Sequence, residues 1–367
     1  MKPGQSSSDP LDAHQRAALA FLQKGKLARA EKECRKGLAL TPTHRQRRDA
    51  AIPRLWVTLG STLEQDERIR EARRCYERAA RELGRKARNE DDERVRLRVE
   101  VLCCLARVHR IRNENRLADK LYAAALRLAE KSLGRRDVAT ADVLNEIGIL
   151  RKQQGRYAEA VRAYRRALPI IVRHCGEASS EAASLYHNLG GIEHARGRLE
   201  AAEPWARRAV AIRERTLGKN NLVVAADKAA LAPILEGLGK FDEASGLYRV
   251  ALSIFRSNLG PHSAEVAFNL SNLAVLLHRQ GKLAQAERMF EQALPALRSV
   301  LGKNHPQVAL TLNNYAVLLR ARRRRKAALL LVQQAEIVLS RTAKRTHPHF
   351  GLFEHNREIL RAELALE

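Results

Sequence analysis

Aromatic side chains are scarce in this sequence, at 4% of 367 residues, although 45% of the chain is hydrophobic. The apolar content is carried by Ala and Leu, and the polar content by Arg and Glu. All four are strong helix formers, so an all-α chain with closely packed helices is expected. Cysteine is sparse and odd in number: Cys34, Cys75, Cys103, Cys104 and Cys175, with no C-x-x-C pair of metal-ligand spacing. That argues against a disulfide framework, and thiols within apolar helical stretches read as small hydrophobes of a reducing compartment. No apolar run approaches the ~18 residues of a membrane span. The opening MKPGQSSSDP lacks the apolar stretch of a signal peptide. A cytoplasmic protein is the expectation.

Motifs that carry chemistry are also missing. There is no H-E-x-x-H and no G-x-S-x-G. Gly237-Leu238-Gly239-Lys240 looks like part of a phosphate loop, but Phe241 stands where that loop needs Ser or Thr. His347 and His349 are two apart with no third ligand nearby. No catalytic residue, no metal and no cofactor are therefore expected. Acidic residues are outnumbered, 41 against 67 basic ones, for a net charge of +26. Such a field draws acidic proteins, nucleic acid or anionic membrane surfaces. It is equally compatible with Arg-rich solvated helix faces, and composition leaves both readings open.

What the sequence has is recurrence. Gly155, Gly197, Gly239 and Gly281 follow one another at steps of 42, as do Gly134, Gly176, Gly218, Gly260 and Gly302. Ala160, Ala202, Ala244, Ala286 and Ala328 keep the same step, each opening an A-x-x-x-Φ pattern or its remnant. A period of 20–50 residues marks a repeat array in which each unit buries its apolar face against its neighbours. The stretch Asn269–Gln307 shows the unit most fully, and residues 311–348 repeat it loosely. The period is broken once: Ala72 to Ala118 is 46 residues, which places a charged insertion near residues 85–94. The chain then divides into a disordered tail over 1–10, an array of about eight helix–turn–helix units over 11–345, and a capping helix within 346–367.

Trp56-Val57-Thr58-Leu59-Gly60 followed by Ala72-x-x-x-Tyr76 matches the tetratricopeptide repeat pattern. The later units resemble the 42-residue tetratricopeptide repeats of the kinesin light chain family. The likeness rests on L-x-N-L-A-x-L-L (Leu270–Leu277), Q-G-K (Gln280–Lys282), Ala286-x-x-x-Phe290, Ala293-Leu294 and L-G-x-x-H-P-x-V-A (Leu301–Ala309). It implies a right-handed superhelix in which the first helix of each repeat lines a concave, ligand-binding side. His305 and His347 then belong to the His-Pro punctuation between repeats.

Carried onto this sequence, the concave positions include Asn145 and Lys152, Asn188 and His194, Asn272, His278 and Arg279, and Asn313, Asn314 and Arg320. Arg107 and Arg110 occupy them in the third unit. Asn in mid-helix is unfavourable because its amide competes for backbone hydrogen bonds. Its recurrence suggests amides that bind an extended peptide backbone, while the basic residues favour an acidic partner. In the sixth unit Ala230 replaces the Asn, and Pro233 is expected to bend the first helix or open a pocket. The run Arg322, Arg323, Arg324, Arg325 and Lys326 falls in the inter-helix turn of the eighth unit. It offers a basic patch and keeps nucleic acid as the alternative partner, although interleaved aromatics are missing apart from Tyr315.

Overall fold

The computed structural model describes residues 10–40, 50–84, 91–341 and 349–366. Among them the chain is entirely helix and turn, with seventeen helices. They are α1 (Pro10–Gln23), α2 (Leu27–Ala39), α3 (Ala51–Gln65), α4 (Ile69–Leu83), α5 (Asp92–Ile111), α6 (Asn115–Ser132), α7 (Val138–Gln153) and α8 (Tyr157–Cys175). Then come α9 (Ser180–Ala195), α10 (Leu199–Leu217), α11 (Leu222–Gly237), α12 (Phe241–Leu259), α13 (Ala264–Arg279), α14 (Leu283–Leu301), α15 (Pro306–Ala321), α16 (Arg325–Ser340) and α17 (His349–Ala365). Eight helix pairs and one terminal helix match the expected count among the described residues. Residues 1–9 of the expected tail, 85–90 of the insertion, Thr41-Pro42 and His347-Pro348 lie outside the described residues. Pro10 is not tail but the first residue of α1.

The chain forms two compact units, residues 1–177 and 178–367. Within each, a helix packs on its successor in the pair, and first helices also touch the first helix of the next pair. The apolar clusters follow the same rule: one runs from Ala18 to Val108 and a second from Val95 to Leu150. Another in the second unit runs from Ala202 to Leu318. Among the described residues these clusters join consecutive pairs, as stacked repeats require.

Why the sequence folds this way is visible at recurring positions. Ala30, Ala72, Ala118, Ala160, Ala202, Ala244, Ala286 and Ala328 are all fully buried, and four residues on lie Cys34, Tyr76, Tyr122, Tyr164, Ala206, Tyr248, Phe290 and Val332. The small residue admits the partner helix and the large one fills the space beside it. Where Ala206 lacks a ring, Trp205 supplies one and stacks on Tyr186 at 5.6 Å. The first helices α7, α9, α11, α13 and α15 begin at side-chain caps in register, Asp137, Ser179, Asn221, Ser263 and His305, and Asp91 caps α5 four residues ahead of that register; each accepts from a backbone N–H of the first turn. His305 therefore caps, and Pro306 occupies the first helical position. The turn within each pair needs a left-handed residue, supplied by Gly at 25, 155, 197, 239 and 281 and by Glu67, Asn113 and Arg323 elsewhere. α11 continues through Pro233 without a break. The terminal helix α17 buries Phe353 and Leu360 against α15 and α16.

Glycine on the crossing face is a packing requirement. A Cβ on Gly148 would overlap the ring of Tyr164, whereas one on Gly246, in the exposed face of α12, would meet nothing within 4 Å. Gly148→Ala is therefore expected to lower stability by about 1–3 kcal/mol, and Gly246→Ala to raise it by about 0.5–1 kcal/mol. Urea denaturation followed by circular dichroism checks both signs.

Candidate functional site

In the first unit, three first helices (α3, α5 and α7) present the expected residues. Arg107 donates to Glu64 Oε1 at 2.6 Å and Oε2 at 3.2 Å, and lies 3.7 Å from Glu146. Arg110 stands 3.9 Å from Glu146, which also accepts a hydrogen bond from the Tyr122 hydroxyl at 2.8 Å. Tyr76 holds Glu64 in the same way at 2.8 Å. The two arginines are thus engaged by carboxylates of neighbouring repeats. Lys152 makes no ion pair among the described residues, and desolvation lowers its pKa. Asn145 is half-buried.

In the second unit the Asn residues separate into two sets. The register of 187, 229, 271 and 313 holds His187, Ala229, Ser271 and Asn313; the next register holds Asn188, Ala230, Asn272 and Asn314. One residue is ~100° around a helix, so the two registers face different neighbours. Asn313 is 1% exposed and accepts from the Asn356 amide at 2.8 Å. It belongs to the interior, which corrects its assignment as a ligand contact. Ser271 is buried against Thr311 at 3.2 Å. Asn272 is exposed and Asn314 half-exposed, and neither makes a hydrogen bond among the described residues. Asn188 and His194 are half-buried, and His278 is half-buried with a pKa lowered by desolvation.

The basic residues expected to select an acidic ligand are engaged within the chain. Arg279 donates to Glu236 at 2.7 Å and lies 5.2 Å from the centre of the Phe241 ring. Arg320 donates to Glu363 Oε1 at 2.6 and 2.8 Å. In the basic run, Arg322 and Arg324 both pair with Glu287, and Arg325 donates to Glu363 at 3.2 Å. Arg323 and Lys326 make no ion pair among the described residues. The acidic gap between Glu291 and Glu336 is filled from Glu287 on one side and Glu363 on the other. Of the expected basic patch, Arg322, Arg324 and Arg325 are thus engaged within the chain.

Sequence reading missed two interior polar features. Asn269, 2% exposed, donates to the Tyr248 carbonyl at 2.6 Å. Asp227, also 2% exposed, accepts two bonds from Arg213 at 2.8 and 2.9 Å, while His187 Nδ1 lies 2.7 Å from its Oδ1 and Arg213 donates to Ser184 at 2.7 Å. A carboxylate inside α11 facing an arginine inside α10 has no local sequence signature; only the departure of the sixth unit from its neighbours marked the region.

Helix pairs of fixed period, capped in register and stacked pair on pair within each unit, define a helical repeat protein. The tetratricopeptide repeat model matches residues 97–171, 181–257 and 263–336, and a second tetratricopeptide repeat model matches 53–81. The chain belongs to the tetratricopeptide repeat family. Repeats of this family are interaction modules that bind protein or peptide partners, and no catalytic family is indicated. The chain is similar in structure to BtubC (BKLC) from P. vanneervenii, at 21% identity and TM-score 0.52, over 68% of this chain and 93% of that one. It is also similar to a Rap protein solved in complex with competence and sporulation factor, at 12% identity and TM-score 0.58, over 98% and 99%. A putative kinesin light chain with nearly identical TPR-like repeats from Podospora anserina matches at 21% identity and TM-score 0.48, over 54% and 94%. No curated protein sequence matches the chain. No helix among the described residues is long and apolar enough to cross a membrane.

Two stability tests follow from the paired charges. Asp227→Ala leaves Arg213 buried without its carboxylate and is expected to cost about 3–5 kcal/mol in urea denaturation. The bonds from Arg320 hold the Glu363 carboxyl below its usual range, outweighing an opposing desolvation, and Arg325 adds to the effect. A lowered carboxylate pKa stabilises above the ordinary value of about 4.3, and that stability is lost as pH falls through the folded value. Glu363→Gln should therefore lower the thermal midpoint near pH 7, with the deficit closing as pH drops to about 3.

Proposed function

We propose that this protein is a non-catalytic adaptor that holds a peptide or protein segment along the first-helix face of its repeats. The observation that carries the reading is the pair Asn272 and Asn314. They occupy the same position in successive repeats, Asn272 exposed and Asn314 half-exposed. Neither side-chain amide makes a hydrogen bond among the described residues. A side-chain amide donates and accepts at once, so it fits the backbone of an extended segment whatever its sequence. Around them the face is apolar: Phe268 is 37% exposed, and Leu310, Val275 and Val317 are half-buried. Aliphatic and aromatic surface beside a few placed polar groups is the usual make-up of a ligand site. The solved Rap complex is in keeping with this use of the fold.

An acidic preference has less support than the net charge suggested, since Arg107, Arg279 and Arg320 are each neutralised within the chain. The alternative, an anionic polymer bound at the C-terminal repeats, keeps Arg323 and Lys326 as cations without ion pairs among the described residues.

The test is retention from an extract of the source cell on immobilised full-length protein, wild type against an Asn272→Ala/Asn314→Ala double variant. The expected result is a roughly ten- to thirtyfold loss of affinity for retained proteins, two net hydrogen bonds, at an unchanged thermal midpoint. Equal retention by the double variant sinks the reading. Recovery of nucleic acid, released along a steep log–log salt slope, favours the alternative.

A further inference from the structure

The first unit contains a cleft of about 470 Å³ between α3, α5 and α7, within the usual ~300–1,000 Å³ of ligand sites. Val99, Val138, Ala139 and Val143 give it an apolar lining, and Glu100, Asp142 and Glu146 bring carboxylates to it. The charge of Glu100 is paired with no cation among the described residues. Arg96 lines the cleft but is committed to Asp137, with both guanidinium bonds at 2.6 and 2.7 Å. Arg107 is committed to Glu64. Glu100 has two cations in its field, Arg107 and Arg54, and Arg54 is in turn paired with Glu93. Among the described residues Glu100 accepts no hydrogen bond and forms no ion pair.

Two further observations mark the place as unfinished. The Glu100 side chain stays open to solvent at the cleft, and desolvation still raises its carboxyl above its ordinary pKa in spite of those two arginines. The Cys103 thiol lines the same cleft, is 9% exposed, and has no hydrogen-bond partner among the described residues.

We infer that this cleft takes the side chain of a lysine or arginine carried by the bound segment, with Glu100 as its counter-ion. The apolar lining packs the methylene stem and the carboxylate receives the charged head, the division that long basic side chains favour. The preference runs against the net charge of the chain, because selection at close range is set by the unpaired group in the cleft and not by the distant field. A segment entering here brings one cation to a site that lacks one, at no cost in broken internal pairs. This inference rests on the adaptor reading above and names the chemistry of one subsite of it.

The experiment pans a displayed library of random heptapeptides on full-length protein and on its Glu100→Gln variant. Glu100 makes no contact that the fold uses, so the variant keeps its thermal midpoint. The expected result is enrichment of Lys or Arg at one position by at least fivefold on the wild type, falling to background on Glu100→Gln. Synthetic peptides from the selection, with the basic residue kept or replaced by Met or Glu, are then titrated by fluorescence anisotropy. The basic peptide should lose about tenfold on Glu100→Gln and the Met version nothing. Enrichment of acidic residues, or basic enrichment that survives Glu100→Gln, overturns the inference. Peptides that lose affinity with Asn272→Ala/Asn314→Ala and are indifferent to Glu100→Gln sink the subsite but leave the adaptor standing. Absence of any enriched peptide on the wild type sinks both.

Discussion

The close crossing of the two helices in each pair is the constraint on which the rest depends. Eight alanines at one repeated position are fully buried, and at that spacing nothing larger than a methyl group fits between the helices. Everything else is phased to that contact. The residue four further on must be large enough to close the gap beside it, which is why Tyr76, Tyr122, Tyr164, Tyr248 and Phe290 all sit there buried. The 42-residue period follows from needing the same crossing again after each full pair. The one 46-residue step is tolerated because the added length precedes the crossing: α5 runs 20 residues where the later first helices run 16, and begins one turn early.

Polar ladders run alongside the apolar ones and fix how successive pairs meet. First helices bond at a separation of 43 residues: Arg107 to Glu64, Arg279 to Glu236, Arg320 to Glu363, and Asn356 to Asn313. Second helices bond at 36: Arg166 to Glu130, Arg207 to Glu243, Arg249 to Gln285, and Arg256 to Gln292. Set against the 42-residue period, the Arg279–Glu236 bond is displaced by one residue and the second ladder by six, ~1.5 and ~9 Å along a helix, while the Arg107–Glu64 bond spans the 46-residue step and is displaced by three. Neighbouring pairs therefore meet nearly level at their first helices and slipped at their second. Most of these pairs are exposed and each contributes little alone, yet together they engage many of the arginines behind the +26 charge.

The all-helical fold, the number of pairs and the places of the turns were legible because they are periodic. Gly155 and Ala160 announce themselves by recurring, and their structural roles recur with them. Residues of the candidate site were legible only as positions. Asn313 and Asn314 are adjacent in sequence and alike in chemistry, and only three-dimensional packing buries one and opens the other. The basic run Arg322–Lys326 reads as unbalanced because its partners, Glu287 and Glu363, lie 35 or more residues away. No window that shows the arginines shows both carboxylates. The Arg213–Asp227 pair is only 14 residues apart, and it is hidden because the two stand on successive helices with no local pattern to join them.

This suggests where specificity resides in such an array. A residue that recurs is tied to the crossing, the cap or the turn, and its chemistry is used up by the fold. A residue that departs from the pattern at an exposed position is free of that duty. In the register of Asn188, Asn272 and Asn314 the first unit carries Glu146, and in the register of Asp142 and Ser184 it carries Glu100. Phe268 and Leu310 occupy that second register later in the chain. One scaffold position is thus a carboxylate in two repeats, Glu100 and Asp142, and an aromatic or aliphatic in later ones, each within a first helix. Affinity for a backbone can come from the recurrent amides, while discrimination among segments must come from the positions that vary. Glu100 is such a position, and the pairing pattern around it leaves its charge for a ligand to answer.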